Sequence, residues 1–289
     1  RSTRALSSAA SDVYKRQDML KKSGEKYGER PAYIFRTDVP GKFREISHKE
    51  FRTQVDELGT KLIDLGLKDK RIAVIGENCY EWCVSYLAIV CGTGIVVPLD
   101  KSLPDNEIES LILRSEVEAI FYTDKYNDIM KKLKDKGNTK IKFFISMNLE
   151  KNENDIYSFK QLIEEGKQLL DNDNKEFVDA QINPDVMNIM LFTSGTTAMS
   201  KAVMLSQKNI VSNLFDIASS IKLVPEDRML SFLPLHHTFE STVGFLYPIS
   251  TGCSIAFCDG IRHIGDNIKE FDITAMISVQ HFMKECSEK

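Results

Sequence analysis

Short apolar runs alternate along the chain with longer stretches whose apolar residues recur every three or four positions. The runs 32–35, 43–46, 72–75, 95–98, 119–123, 141–145, 187–192, 203–205, 229–233, 254–257 and 274–279 have strand length and β-favouring composition. Between the second and third, Phe51, Val55, Leu58, Leu62 and Leu65 mark one face of an amphipathic helix. Ser47-His48-Lys49-Glu50 before it has the form of a capping box, and Gly66 stands where a C-cap belongs. His48 falls in the first turn and reads as a solvated helix residue. Further helices are predicted over 18–28, 82–90, 106–114, 124–134 and 158–170. Others run from Ser206 as N-cap to Ile221, from Ser241, over 264–271, and from 280 to 289.

Strand, helix, strand at these lengths predicts parallel βαβ units, hence an α/β fold of mainly parallel sheets flanked by helices. Gly92 and Gly94 precede a strand rather than a helix, so they match no dinucleotide fingerprint and read as packing and turn residues. The polar stretch 171–185 reads as a linker. Lys131, Lys132, Lys134, Lys136, Lys140 and Lys142 form a basic run without interleaved aromatics, which reads as a solvated face.

Composition narrows the class. With 42% apolar and 28% charged residues in 289, the chain is of globular type, long enough for one large domain. A net charge of −4 argues against a general nucleic-acid binder. No apolar run is long enough to span a membrane, though peripheral contact with one is left open. The six cysteines lie in apolar contexts, and Cys79 and Cys83 lack a second Cys/His pair that would complete a zinc pattern. Buried, reduced thiols and a cytoplasmic protein are the expectation, with no metal ligand assigned. Residues 1–17 are rich in Ser and Arg. They read as a disordered arm or non-native leader in preference to a transit peptide.

The candidate chemistry centres on 191–205. Two apolar runs flank a turn that contains Thr193, Ser194, Gly195, Thr196 and Thr197, with Lys201 following. Four hydroxyls and several backbone N–H groups can converge there on one anion, Gly195 permits close backbone approach, and Lys201 adds an ammonium group. Oriented donors with a cation suit a polyphosphate. By composition alone the stretch is also an ordinary Ser/Thr-rich loop. It is not the common P-loop, because Ser200 precedes Lys201 and Ala202 follows it. A second stretch, Pro234 to Glu240, places His236, His237 and Thr238 at a strand end. Adjacent histidines there suit acid–base or metal chemistry, but they lack the spacing of a zinc helix.

F-T-S-G-T-T followed by K-A-V-M-L-S resembles the phosphate-binding signature of the adenylate-forming acyl-CoA synthetases. G-E-N-C-Y-E-W-C and L-P-L-H-H-T-F-E are similar to flanking motifs of the same family, most of all its long-chain fatty acid–CoA ligases. The resemblance covers 18–289. It implies that this stretch is a partial N-terminal adenylation domain, cut from the family's large domain, in which two sheets interleave along the chain. It also implies ATP, Mg2+ and coenzyme A as cofactor and co-substrates, and a fatty or other carboxylic acid as substrate. Thr193, Ser194, Gly195, Thr196, Thr197 and Lys201 are then the ATP-binding residues. His237 takes a catalytic role near the acyl carboxylate, with His236 and Thr238 beside it as substrate residues. The chain departs from the signature at Ala198, Ser200, Ala202 and Gln207. The family's later Y-G-x-T-E motif, whose Glu would hold Mg2+, and its lysine-bearing small domain are not in the sequence. The expectation is the front part of an AMP-forming ligase that is inactive alone, with a non-catalytic or split binding module as the alternative.

Overall fold

The computed structural model describes residues 16–37, 39, 41–193 and 200–278. Two sheets share the chain, and the chain changes sheet twice. Helix α1 (Arg16–Tyr27) leads into β1 (Pro31–Arg36) and β2 (Phe43–Ser47), an antiparallel hairpin. After α2 (His48–Asp64) the chain moves to a seven-stranded sheet. It forms β3 (Arg71–Ile75), α3 (Tyr80–Ala88), β4 (Ile95–Pro98), α4 (Asp105–Ser115) and β5 (Ala119–Tyr122). Next come α5 (Asn127–Lys136), β6 (Phe143–Ser146), β7 (Tyr157–Ser158) and α6 (Phe159–Asp171). The hairpin β8 (Met187–Thr193) and β9 (Lys201–Ser206) completes this sheet, in the order β7-β6-β5-β3-β4-β8-β9. Every pairing in it is parallel except β8 with β9.

The chain then returns through α7 (Gln207–Ser220) to the first sheet. There β10 (Arg228–Ser231), α8 (Tyr247–Thr251), β11 (Ser254–Phe257), α9 (Ile264–Glu270) and β12 (Ala275–Met276) follow. The five strands lie in the order β12-β10-β11-β1-β2. This is the α/β architecture of mainly parallel sheets that the alternation predicts.

Burial explains why the strands read as continuous apolar runs. In β3, Ile72 and Val74 face the core shared with α2, α3 and the five-stranded sheet. Ala73 and Ile75 face a second core under α4 and α5. Both faces of a parallel sheet are covered, so neither can be polar. Helix α2 sits between the sheets. Ser47 caps it by accepting the Glu50 N–H at 3.1 Å, and Glu50 Oε2 accepts the Ser47 N–H at 2.8 Å, the expected capping box. On its far side α2 meets α6 so closely that a Cβ on Gly166 would overlap the Glu57 carbonyl oxygen.

Some expectations need correction. Helix α1 begins at Arg16, not at 18. The Arg16 guanidinium is buried and donates to Gln207, Tyr86 and Asn188, so Arg16 and Gln17 belong to the fold rather than to a leader. His48 is 1% exposed, not solvated: its Nδ1 lies 2.9 Å from the Ser23 hydroxyl, which donates to the Ile249 carbonyl at 2.7 Å. Sequence periodicity could not show this, because α1 and α8 cover the first turn of α2. The segment after α6 has no regular element, yet Phe177 within it is 1% exposed and packs in the main core. The expected strand 229–233 ends at Ser231, where the chain turns away to Pro234. The expected strand 274–279 is Ala275–Met276, with Val279 outside the described residues, as is the expected helix that follows it.

Candidate functional site

In parallel α/β sheets the side-chain chemistry gathers beyond the carboxyl ends of the strands. Strands β4 and β8 run parallel with Val96 opposite Ile189. They therefore deliver Leu99–Asp100 and Thr193 to the same edge of the seven-stranded sheet. Thr193 is the last residue of β8, and its register partner is Lys201, the first of β9. The hairpin thus presents a hydroxyl and an ammonium side by side at the mouth of the hydroxyl-rich turn. Both are exposed, and Lys201 makes no ion pair with a described residue. Ser194, Gly195, Thr196 and Thr197 lie outside the described residues. Arg114, on α4, braces the returning strand: its guanidinium donates to the Ser200 carbonyl at 2.6 Å and covers the Phe192 ring.

The five-stranded sheet faces this edge with the loop after β10. Pro234 starts a turn closed by the His237 N–H donating to the Pro234 carbonyl at 3.1 Å. The turn sets the imidazoles of His236 and His237 4.3 Å apart between centroids, tilted by 41°. His237 and Thr238 are exposed, whereas His236 turns inward with its side chain 9% exposed. His236 Nε2 lies 3.3 Å from Asp100 Oδ1, close but not aligned as a hydrogen bond. Burial outweighs the nearby carboxylate and pushes the His236 imidazole down to about 4, so it is neutral at pH 7. Asp100 is partly buried, yet the Ser102 hydroxyl and N–H donate to it and hold it below the usual carboxylate range. A neutral ring thus stands against an ionised carboxylate across the join between the sheets.

Behind the loop, Glu240 is 2% exposed and opens a π-helical turn, Glu240–Leu246. Burial pushes its carboxyl up to about 7, against the donated Ser231 hydroxyl at 2.8 Å. No described group of three or more His, Cys, Asp or Glu side chains could hold a metal, so no residue here is assigned to Mg2+. No described helix is long and apolar enough to cross a membrane.

The profile of the AMP-binding enzyme family matches residues 20–289. The chain belongs to the AMP-binding enzyme family. A CoA ligase of Gibberella moniliformis is 33% identical over 67% of this chain and 30% of its own length. Fatty acyl-CoA synthetase B of Dictyostelium discoideum is 26% identical over 93% of this chain and 41% of its own length. The solved Mycobacterium tuberculosis fatty acyl CoA synthetase superposes with a TM-score of 0.78 at 16% identity, over 94% of this chain and 50% of that one. The chain therefore spans less than half the length of these curated relatives.

Within this AMP-binding fold, the structure brings Thr193 next to Lys201 and His236 next to His237. Asp100 joins the second group, while Glu240 is held behind it by Ser231. Asp100 directly follows an apolar strand run, a position at the carboxyl edge that could have flagged it. Glu240 ends the L-P-L-H-H-T-F-E motif, but nothing local indicates that its carboxyl is buried.

Proposed function

We propose that this AMP-binding chain carries the ATP-phosphate and acyl-carboxylate sites of a ligase that activates a fatty acid. In the first half-reaction a carboxylate oxygen attacks the α-phosphorus of ATP, the bond to the bridging oxygen breaks, and pyrophosphate leaves. In the second, the thiol of coenzyme A adds to the acyl carbon, AMP departs, and the thiol proton is released. Thr193, Ser194, Thr196, Thr197 and Lys201 hold the departing pyrophosphate, and Gly195 admits it close to the backbone. Catalysis of this kind is mainly positioning and charge stabilisation, so hydroxyl and N–H donors with an ammonium beside them are the groups it requires. His237 orients the acyl carboxylate, flanked by Thr238 and by neutral His236. Mg2+, when bound, would offset phosphate charge.

The observation that carries this reading is the pairing of Thr193 with Lys201 at the mouth of the hydroxyl-rich turn, on the sheet edge where Asp100 meets the histidine loop of the other sheet. The test is fatty-acid-dependent exchange of pyrophosphate into ATP, on this chain and on one extended to the length of its relatives. Exchange that needs both the fatty acid and Lys201 supports the reading; phosphate release without exchange overturns it. The exposed Val203 and Met204 on the outer strand β9 favour a second reading, a binding half completed by another polypeptide. Exchange restored by adding, as a separate chain, the portion that the relatives carry beyond the matched stretch would support that one.

A further inference from the structure

The histidine loop is tied to the opposite sheet through one side chain. Asn78 follows β3, on the seven-stranded sheet. Its amide Nδ2 donates to the Leu233 carbonyl at 2.7 Å and to the Ser231 hydroxyl at 3.0 Å. Its Oδ1 accepts the Leu235 N–H at 3.2 Å. The Ser231 hydroxyl in turn donates to Glu240 Oε1 at 2.8 Å. Asn78 thereby satisfies backbone groups on both sides of Pro234, where β10 has ended and no ladder partner remains. Glu240 lies at the other end of the same loop, with room for its carboxyl only because Gly244 has no side chain: a Cβ there would sit 2.6 Å from the carboxylate. The chain Asn78, Ser231, Glu240 clamps both feet of the segment that carries His236, His237 and Thr238.

We infer that Asn78 is a positioning residue that sets the histidine loop of the five-stranded sheet against the phosphate-binding edge of the seven-stranded sheet. The two half-sites stand on different sheets. Each can be intact while their spacing is wrong, and reaction between two bound groups is sensitive to that spacing. Asn78 touches neither half-site ligand; it acts through the Leu233 and Leu235 backbone. The catalytic consequence rests on the function proposed above, whereas the structural clamp does not.

His236 reports on the clamp, because Asp100 and Lys101 of the other sheet face it only while the loop is seated. Side-chain ¹H–¹⁵N spectra of this chain over pH follow each imidazole. In Asn78→Ala, His236 is expected to titrate closer to the ordinary 6.5, while buried His48, outside the network, does not move. His236 unmoved in a variant whose His48 is unmoved overturns the clamp. Where alanine does not fold, Asn78→Asp decides: it keeps an acceptor for Leu235 but no amide for Leu233, and an unmoved His236 there overturns the clamp as well. In an exchange-competent longer chain, Asn78→Ala should lower kcat about 10²-fold with KM for ATP unchanged. A rise in KM for ATP at full kcat overturns the positioning role. Absence of exchange in the parent enzyme would remove the function and leave the spectroscopic result standing.

Discussion

His236 Nε2 stands 3.3 Å from Asp100 Oδ1, and the two residues come from different sheets. The contact marks the join between the histidine loop and the sheet edge that carries the Thr193–Lys201 hairpin. The Asp100 carboxylate favours the charged imidazole, yet burial wins and His236 stays neutral. Asp100→Asn removes this opposing carboxylate. The His236 titration should then move below its already low position, opposite in direction to the effect of releasing the loop. A shift upward or none at all, read from the same side-chain spectra, would contradict this geometry.

Lys201 is the exposed cation at the hairpin mouth. If it holds the pyrophosphate, Lys201→Ala should cost on the order of 10²–10³ in exchange rate, the usual loss when one preformed donor to developing charge is removed. Lys201→Arg should recover part of it, since the charge returns without the same point geometry. Undiminished exchange in the alanine variant would remove Lys201 from the site.

His48 is buried neutral, its imidazole pushed down to about 4 by burial. Its folded value lies below the unfolded one of 6.5, so the unfolded chain binds the extra proton first. The stability tied to neutral His48 is therefore complete above about pH 6.5 and is lost as pH falls toward 4. His48→Gln cannot take up that proton. Melting temperatures measured from pH 7.5 down to 4.5 should fall more steeply for the parent than for this variant. Parallel curves would show that His48 does not titrate in this window.

Glu240 has the opposite sign. Burial raises its carboxyl from 4.5 to about 7, so the folded state holds the proton longer. Its contribution is present below about pH 4.5 and is lost as pH rises through 7. Glu240→Gln keeps an acceptor for Ser231 and cannot ionise. Its melting temperature relative to the parent should rise between pH 5 and pH 8. A difference that stays constant over that range would mean Glu240 is ionised throughout.

Gly166 faces the Glu57 carbonyl where α6 crosses α2. A methyl group there has no flexible side chain to displace, only backbone. Gly166→Ala should cost about 1–3 kcal/mol or more in urea unfolding, the range for overpacking a close contact. A change of only a few tenths would show that the two helices separate freely.

The element order was legible because each strand and helix writes its period locally. Ile72 and Val74 alternate with Ala73 and Ile75 across two cores, and Phe51, Val55 and Leu58 recur at helical spacing. The capping box at Ser47 and Glu50 was equally local. Edges were less so: β10 stops at Ser231, inside an apolar run, because Asn78 takes over the backbone groups that follow. The burial of His48 is hidden from local pattern for the same reason, since the residues that bury it are near in space and far along the chain.

By itself, then, the sequence determined the α/β alternation and the family, and it marked two candidate stretches for the chemistry, since short-range pattern and ordered motif suffice for these. Only the tertiary structure decided that β1 and β2 share a sheet with β10, β11 and β12, that Asp100 meets His236, and that Asn78 holds the loop from Leu233 to Leu235. Those relations join residues more than a hundred positions apart, and they arise from how two sheets pack over one core, which no local period records.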